Sequence, residues 1–213
     1  MAKQRSSVTR DKLLAAASDV FVEKGFRDAT VAEICNRAGT NIAAVSYYFG
    51  SKEALYQEAW RHSFTVSIIA HPQDGEVSED ASAEERLRGQ LKALIERIAD
   101  DSSKDFFISQ MEFVNPTGLL EEVMKSELIP LREKTLTVMR ELLGPGATNQ
   151  QVYFCESCIL SMCIHPMMMQ RIRKRTKDVE VPVVIDDIEA FADHVMTFAL
   201  SGINAIRRQI YES

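Results

Sequence analysis

The chain has 213 residues, of which 46% are hydrophobic and 26% are charged, with a net charge of −6. This length allows one large domain or two modest ones with a real hydrophobic core, and the composition is that of a soluble globular protein. A negative net charge excludes blanket electrostatic binding to nucleic acid. The apolar runs are shorter than the roughly 18 to 20 residues that span a bilayer, and the polar N-terminus predicts no signal peptide.

Three of the four cysteines, Cys155, Cys158 and Cys163, lie close together in the sequence. Their spacing is not that of a secreted disulfide framework in a chain of this size, which indicates a reducing, cytoplasmic location. The sequence contains no phosphate-binding glycine loop, no G-x-S-x-G and no H-E-x-x-H, and its histidines have no partners at usable spacing. It therefore predicts a cytoplasmic protein that is not an enzyme and uses no cofactor.

The first seventy residues predict four helices, because apolar positions recur at helical spacing and no β alternation competes. Ser7 or Thr9 caps the first helix, which ends at Gly25. Thr30 caps a short second helix that stops at Gly39. Thr40 or Asn41 caps a short third helix that continues to about Tyr48, and Ser51 caps a fourth that extends to about Ile69.

The rest of the chain is also predicted to be helical after a loop over residues 71–85, which contain Pro, Gly, Ser and acidic residues. Five further helices are predicted: one over 87–98, one broken by Pro116, a long one that ends at Gly144, one from Thr148 to just before Pro166, and a last one over 188–210. The fold class is therefore all-α.

The second and third helices form a helix-turn-helix pattern, in which the second of the pair lies in the DNA major groove. Residues 41–48 suit that position because they carry no carboxylate and include small residues. Ala43 and Ala44 can contact thymine methyl groups, and Ser46 can bond a base or a phosphate. Ile42 is either a base contact or a core residue.

Residues 21–60, FVEKGFRDATVAEICNRAGTNIAAVSYYFGSKEALYQEAW, resemble the N-terminal domain of the TetR family of bacterial transcriptional regulators. The shared spacings are F-x-x-x-G-F-x-x-x-T-V-x-x-I over 21–34, A-G at 38–39, and Y-Y-F-x-S-K-E-A-L over 47–55. The resemblance extends over residues 8 to 60. The C-terminal part is similar to the CecR-type ligand domain, which is associated with antibiotic response.

This resemblance implies a homodimer that binds a near-palindromic operator as a repressor and is released by a small-molecule effector. Residues 1–52 would form a three-helix DNA-binding domain, linked through helix 51–69 to an effector-binding and dimerisation domain over residues 53–213. The motif positions imply these DNA contacts: Thr30, Asn41, Ile42, Ala43, Ala44, Ser46, Tyr47, Tyr48 and Lys52. Thr30, Tyr47, Tyr48 and Lys52 would meet phosphates and the others would face the groove. At Ile42, Ser46 and Tyr48 the sequence departs from the residues that are common in the family, so the operator sequence is not predicted.

The resemblance also implies an effector pocket among the C-terminal helices. Its candidate lining residues are apolar, aromatic or adaptable: Phe106, Phe107, Met111, Phe113, Met124, Tyr153, Phe154, Met162 and His165. An apolar or aromatic effector would follow, although methionines and aromatics at helical spacing are more often part of a plain core.

Two features leave alternatives open. One alternative is a thiol- or metal-responsive regulator, which is raised by Cys155, Cys158, Cys163 and His165. However, Cys163 points away from Cys158 and the paired CxxC spacing of a zinc site is absent, so no metal is predicted.

The last helix, with Ala199 and Gly202 on its apolar face, can pair with helix 148–165 to build half of a four-helix bundle across a two-fold axis. Otherwise that face packs within the monomer.

Overall fold

In the computed structural model of the protein, residues 2–175 and 185–212 are described, with side chains for 7–173 and 185–212. Within these residues the fold is all-α, as predicted, and contains no strand. The helices are α1 (Ala2–Asp28), α2 (Val31–Ala38), α3 (Ala43–Tyr48), α4 (Lys52–Ala70), α5 (Ala83–Ala99), α6 (Asp105–Val114), α7 (Glu121–Leu143), α8 (Asn149–Arg175) and α9 (Ile188–Glu212).

Three helix starts follow from the predicted side-chain caps. The hydroxyls of Thr30, Ser51 and Thr148 each accept a hydrogen bond from the backbone N–H three residues later, at 3.1–3.2 Å. At Thr148 the bond is reciprocal, because the side chain of Gln151 accepts from the Thr148 N–H at 2.9 Å. Such a cap contributes about 1 kcal/mol to helix stability, so these boundaries are fixed locally.

The start of α1 differs from the prediction. The helix begins at Ala2, so Ser7 and Thr9 lie inside it and do not cap it. No proline or glycine stands before them to stop the helix from extending towards the N-terminus. The predicted end of the helix at Gly25 is only partly right: this residue has φ 71° and ψ 178° and interrupts the helical conformation, but the helix resumes and ends at Asp28.

The predicted end of α8 before Pro166 is wrong, because the helix continues to Arg175. Buried side chains lie on both sides of the proline, at Cys163, Met167 and Met168, and this packing outweighs the lost backbone hydrogen bond. By length and composition the segment Asn149–Arg173 would also be able to cross a membrane. However, α8 packs against α5 and α9 and carries the buried carboxylate of Glu156, which makes it a core helix.

The loop before α5 is shorter than predicted. Ser82 caps α5 with a complete capping box, in which its hydroxyl accepts from the Glu85 N–H at 3.3 Å and the Glu85 carboxylate accepts from the Ser82 N–H at 3.0 Å. The loop therefore ends at Ser82, and residues 83–85 form the first turn of the helix.

The chain divides into two compact units. The first comprises residues 1–69 and 102–126, and the second comprises 70–101 and 127–213. The predicted boundary of the DNA-binding domain, between residues 52 and 53, falls inside the first unit. The compact unit that holds the helix-turn-helix is thus larger than residues 1–52, and the functional division at that position stays a prediction.

The first unit has an aromatic core with internal hydrogen bonds. The ring of Tyr56 packs edge-on against Phe21, with centroids 4.7 Å apart. The Tyr56 hydroxyl donates to the Glu112 carboxylate at 3.2 Å, and the Trp60 indole N–H donates to the Ser109 hydroxyl at 2.9 Å. Burial, and then the neighbouring Glu112, raise the pKa of Tyr56 well above its usual value. These contacts bind α4 to α6.

The second unit has a mainly aliphatic core, where α5 packs against α8 and α9. Its buried side chains come from α5, α7, α8 and α9 and include Leu91, Ile98, Leu143, Ile159, Cys163, Val195 and Ile203. One buried carboxylate interrupts this core. Glu156, whose side chain is 1% exposed, accepts two hydrogen bonds from the Arg132 guanidinium at 2.7 and 2.8 Å.

Candidate nucleic-acid interface

The turn between α2 and α3 is set by one glycine. Gly39 has the left-handed conformation (φ 66°, ψ 36°), and its N–H donates to the Asn36 carbonyl at 3.2 Å. The next N–H, of Thr40, donates to the Cys35 carbonyl at 2.9 Å. These two bonds form a Schellman motif, which satisfies the end of α2 and redirects the chain into α3.

Helix α3 is six residues long and is held by local contacts at its start. The Asn41 side-chain oxygen accepts from the Ala44 N–H at 3.0 Å, so the predicted cap at Asn41 is present. Val45 is the one α3 residue that is fully buried, at 2% exposure. Most of the helix surface is therefore available to a partner.

Exposure settles the question that the sequence left open at Ile42. This side chain is 59% exposed and is not a core residue. Ala43, Ser46 and Tyr47 are exposed as well, and the exposed fraction of Tyr47 is 79%. The Tyr48 ring packs edge-on against Tyr47, with centroids 4.8 Å apart. Small, apolar and hydroxyl-bearing groups thus share one surface on α3.

The two predicted phosphate contacts outside α3 are both partly engaged within the protein. Thr30 is exposed, but its hydroxyl oxygen is the cap of α2. The Lys52 ammonium lies 4.4 Å from the centroid of the Phe26 ring and 3.5 Å from the Arg27 carbonyl oxygen. An ammonium has three donors, so Lys52 can hold this position and still bond a phosphate at the start of α4.

Carboxylates neutralise several cations around the helix-turn-helix. Arg37 forms a two-point ion pair with Glu23, at 2.7 and 2.8 Å, and this hydrogen bonding raises the pKa of Arg37. Arg10 pairs with Glu58 at 2.8 Å and also lies 5.3 Å from the centroid of the Phe49 ring. Sequence reasoning missed Arg10, because a contact with the residue that ends α3 has no local signal.

The turn that follows α6, over residues 115–119, accepts hydrogen bonds from side chains of both α1 and α4 within the first unit. Near the end of α1, Arg27 donates to the Asn115 side-chain oxygen and, at 3.2 Å, to the Pro116 carbonyl. From α4, the Gln57 amide donates to the Leu119 carbonyl at 2.7 Å. The residues that flank the helix-turn-helix on both sides thus hold the same turn.

The buried carboxylate of Glu112 secures this 115–119 turn from inside. It accepts from the backbone N–H groups of Thr117 and Gly118, at 2.8 and 2.9 Å, and from the Thr117 hydroxyl at 2.9 Å. Together with the bond from Tyr56, these donors compensate the cost of burying the charge. The bond from Tyr56 could not be read from the sequence, because Tyr56 and Glu112 are 56 residues apart along the chain.

The predicted effector-lining residues fall into both compact units and differ in exposure. Within the first unit, Phe107 and Met124 are buried, Phe106 is half-buried, and Met111 and Phe113 are exposed. Within the second unit, Met162 is half-buried, and Tyr153, Phe154 and His165 are exposed. The pattern in the sequence did not separate core positions from surface positions.

The arrangement of the four residues in the cysteine cluster does not support a sensor site. Cys155 and Cys163 are buried, while Cys158 and His165 are exposed. Burial raises the pKa of both buried thiols, and that of Cys163 reaches about 12, so they stay protonated and unreactive near neutral pH. In the described part of the chain, no three His, Cys, Asp or Glu residues are grouped so that they could hold a metal ion. The thiol- or metal-responsive alternative is not supported.

Helices α8 and α9 each expose a stripe of residues at helical spacing, which we call the α8–α9 outer face. On α8 the stripe consists of Phe154, Cys158, Ser161 and His165, and on α9 of His194, Phe198, Ser201 and Gly202. Ala199, which was expected to allow close contact on the same face, is only 4% exposed and faces the core of its own unit. A Cβ at Gly202 would meet no atom within 4 Å.

Together, the capped helix pair and the uncharged, exposed α3 define a helix-turn-helix DNA-binding protein. Comparison with known families agrees in both parts of the chain. Residues 13–59 match the family described as bacterial regulatory proteins, tetR family. Residues 83–203 match the C-terminal domain of the HTH-type transcriptional dual regulator CecR. The chain belongs to the TetR family of transcriptional regulators and has a CecR-type C-terminal domain.

Individual relatives are similar over different lengths. The transcriptional dual regulator CecR of Shigella flexneri is 30% identical over 67% of this chain and 68% of its own length. The transcriptional regulator BetI of Stenotrophomonas maltophilia is 34% identical over 45% of this chain. That match spans 46% of BetI, so the chain covers less than half of this relative.

Solved structures share the fold. A TetR-like transcriptional regulator from Rhodococcus sp. RHA1 has a TM-score of 0.64 and 18% identity, covering 92% of this chain and 96% of that one. The fatty acid degradation regulator FadR from Bacillus halodurans has a TM-score of 0.63 and 19% identity, covering 90% and 94%. At these identities the similarity establishes the helical architecture alone.

Proposed function

We propose that the protein is a cytoplasmic, ligand-responsive repressor that binds a near-palindromic operator as a homodimer. The observation that carries this proposal is the surface of α3, where exposed small, apolar and hydroxyl groups stand without any carboxylate. A carboxylate there would be repelled by the phosphates, whereas this surface fits a major groove.

Each DNA-facing residue has a proposed role. Asn41, Ile42, Ala43, Ala44 and Ser46 face the base edges. The hydroxyls of Tyr47 and Tyr48 bond backbone phosphates. A further phosphate lies at the N-terminus of α2, where backbone N–H groups after Thr30 point outward, and Lys52 meets another at the start of α4. Phosphate contacts set the position on DNA, and base contacts select the sequence.

The homodimer is proposed to form through the α8–α9 outer face. Exposed aromatic side chains such as Phe154 and Phe198, next to small residues such as Ser201 and Gly202, suit a bundle with the same helices of a second copy. A two-fold axis would then set the two α3 helices one DNA turn apart, roughly 34–36 Å, or a small multiple of that distance.

The effector is proposed to be a small apolar or aromatic molecule bound among the C-terminal helices. Which of the nine candidate lining residues contact it stays a prediction from the sequence. Binding would tilt α4, which follows the helix-turn-helix, and would shift the population to dimers that no longer fit both half-sites.

Fluorescence anisotropy with DNA tests the DNA-binding part of this proposal. A site is first selected from random DNA with the full-length protein, and wild type is compared with Tyr47→Ala at two salt concentrations. We expect tight wild-type binding that weakens with salt, a loss of at least tenfold in Tyr47→Ala, and unchanged binding in Val66→Ala, which truncates an exposed side chain on α4. If random DNA binds as well as any selected site, the proposal fails.

A separate measurement tests whether the protein represses or activates transcription. A reporter gene placed behind the selected site should be silenced when the protein is expressed and released when the effector is added. Increased expression would make the protein an activator. CecR is itself described as a dual regulator, so both signs belong in the test.

A further inference from the structure

The chemistry of the α3 surface limits the base edges that it can distinguish. Its exposed members are Asn41, Ile42, Ala43, Ser46 and Tyr47. No residue from 41 to 48 is Arg, Lys, Asp, Glu or Gln. Guanine is usually selected in the major groove by Arg or Lys, and cytosine by Glu or Asp. Neither kind of contact is available from α3.

The remaining amide is partly engaged. Asn41 could recognise adenine through a pair of bonds, which uses the side-chain oxygen and nitrogen together. Its oxygen already accepts the Ala44 N–H at 3.0 Å, and this bond caps the helix. Forming the adenine pair would weaken the cap, so Asn41 is better suited to donate a single hydrogen bond.

The most exposed aliphatic group on this surface stands where base contacts are made. Ile42 lies at the N-terminal end of α3, and the N-terminal residues of a recognition helix contact base edges. Ala43, also exposed, follows directly. The C5-methyl of thymine is the apolar group that a major groove offers to such side chains. A β-branched apolar side chain left in water gains free energy by covering a methyl group.

We propose that Ile42, together with Ala43, recognises thymine methyl groups, so that the base pairs under α3 are rich in A·T and are selected by apolar contact. This inference rests on the proposed function, because it names the bases that the same surface selects. Ile42 is the main specificity-determining residue, and Ser46 and Tyr47 add hydrogen bonds.

Replacing thymine with deoxyuridine tests the inference directly, since uracil lacks only the methyl group and keeps every hydrogen-bonding group. Each thymine of the selected site is replaced in turn, and binding of the full-length protein is measured by anisotropy. We expect at least one thymine in each half-site at which the replacement weakens binding about fourfold, the effect of one methyl group buried in the complex. Thymines outside the half-sites should show no effect.

Ile42→Ala links the effect to its residue. This variant should bind the thymine site more weakly and should no longer distinguish thymine from uracil at the sensitive position. Ile69→Ala removes the same side chain from an exposed position on α4 and should keep the discrimination. The circular dichroism spectra of both alanine variants should match that of wild type, because both side chains are exposed. Ile42→Val, which keeps the β-branch, should retain most of the discrimination between thymine and uracil.

The outcomes separate the inference from the proposal beneath it. If no sequence is enriched from random DNA, the proposed function fails and the inference fails with it. A selected site that binds equally well with uracil, or whose contacted bases are mainly G·C, overturns the inference and leaves operator binding intact. Discrimination that persists in Ile42→Ala also overturns it, because another residue must then contact the methyl group.

Discussion

Helices α3 and α8 both expose apolar side chains, but different forces hold them in place. Helix α3 has six residues, one fully buried side chain and local hydrogen bonds at Gly39 and Asn41. Helix α8 has 27 residues and continues through Pro166 because packing on both sides of the proline supports it. A helix fixed by its ends needs only one buried side chain and can present most of its residues, whereas a helix fixed by packing presents one stripe. Substitutions in α3 should therefore change binding, and those in the core of α8 should change stability.

The largest expected effect is on binding, from a carboxylate on α3. Ser46→Asp places a negative charge on an exposed position that would face DNA, so specific affinity should fall by more than about a hundredfold at low salt. Its circular dichroism and Tm should remain those of wild type. Ser126→Asp, at an exposed position on α7 outside the helix-turn-helix and outside the α8–α9 outer face, provides the matched control for DNA binding. A Ser46→Asp variant that still binds its site would show that α3 does not enter the groove.

The next effect is on stability, from the ion pair at Glu156. Arg132→Ala leaves a nearly fully buried carboxylate without the guanidinium that donates two hydrogen bonds to it, which should lower the free energy of unfolding by about 2–3 kcal/mol. This loss is smaller than that for breaking a fully buried ion pair, because Arg132 is half-exposed. Urea unfolding measures the change. The double variant Arg132→Met, Glu156→Leu should recover much of the loss. If Arg132→Ala is as stable as wild type, the pair does not stabilise α8.

A third variant tests whether the exposed stripe of the second unit meets another copy. Phe198→Glu places a charge on the α8–α9 outer face, and sedimentation should show at least a tenfold weaker dimer, since one carboxylate would be desolvated in each half of the interface. Phe113→Glu, at a similarly exposed phenylalanine of the first unit, should leave the dimer unchanged. A Phe198→Glu dimer as strong as wild type would move the interface elsewhere.

The smallest effect compares two glycines that both have open space around them. Gly39 has φ +66°, so Gly39→Ala should cost about 1 kcal/mol through the backbone alone. Gly202 lies inside α9, where Gly202→Ala should stabilise the helix by about 0.5–1 kcal/mol. Guanidinium unfolding at a concentration where the protein is monomeric measures both. If both variants changed the free energy of unfolding equally, the left-handed backbone conformation of Gly39 would not contribute to the stability of the α2–α3 turn.

The elements that were predictable from sequence are those determined by neighbouring residues. The caps at Thr30 and Ser51 and the break at Gly25 depend on a few adjacent groups, and all three were predicted. The passage of α8 through Pro166 and the burial of Phe107 beside an exposed Phe113 depend on contacts across the fold, which no local pattern contains. For the site, the uncharged character of α3 could be read directly, but the exposure of Ile42 could not, because it depends on which side chains of the fold surround the N-terminal end of α3.

The 115–119 turn has a consequence for genetics. Arg27 and Gln57, which lie on either side of the helix-turn-helix in the sequence, both donate hydrogen bonds to this turn. The buried carboxylate of Glu112 accepts hydrogen bonds from its backbone. A selection for loss of the proposed repression should therefore return substitutions at Glu112 or Gly118 alongside those in α3. Such alleles would look like DNA-contact mutants in the cell. The purified proteins would tell the two groups apart, because variants of the 115–119 turn should have a lower Tm and α3 variants should keep that of wild type.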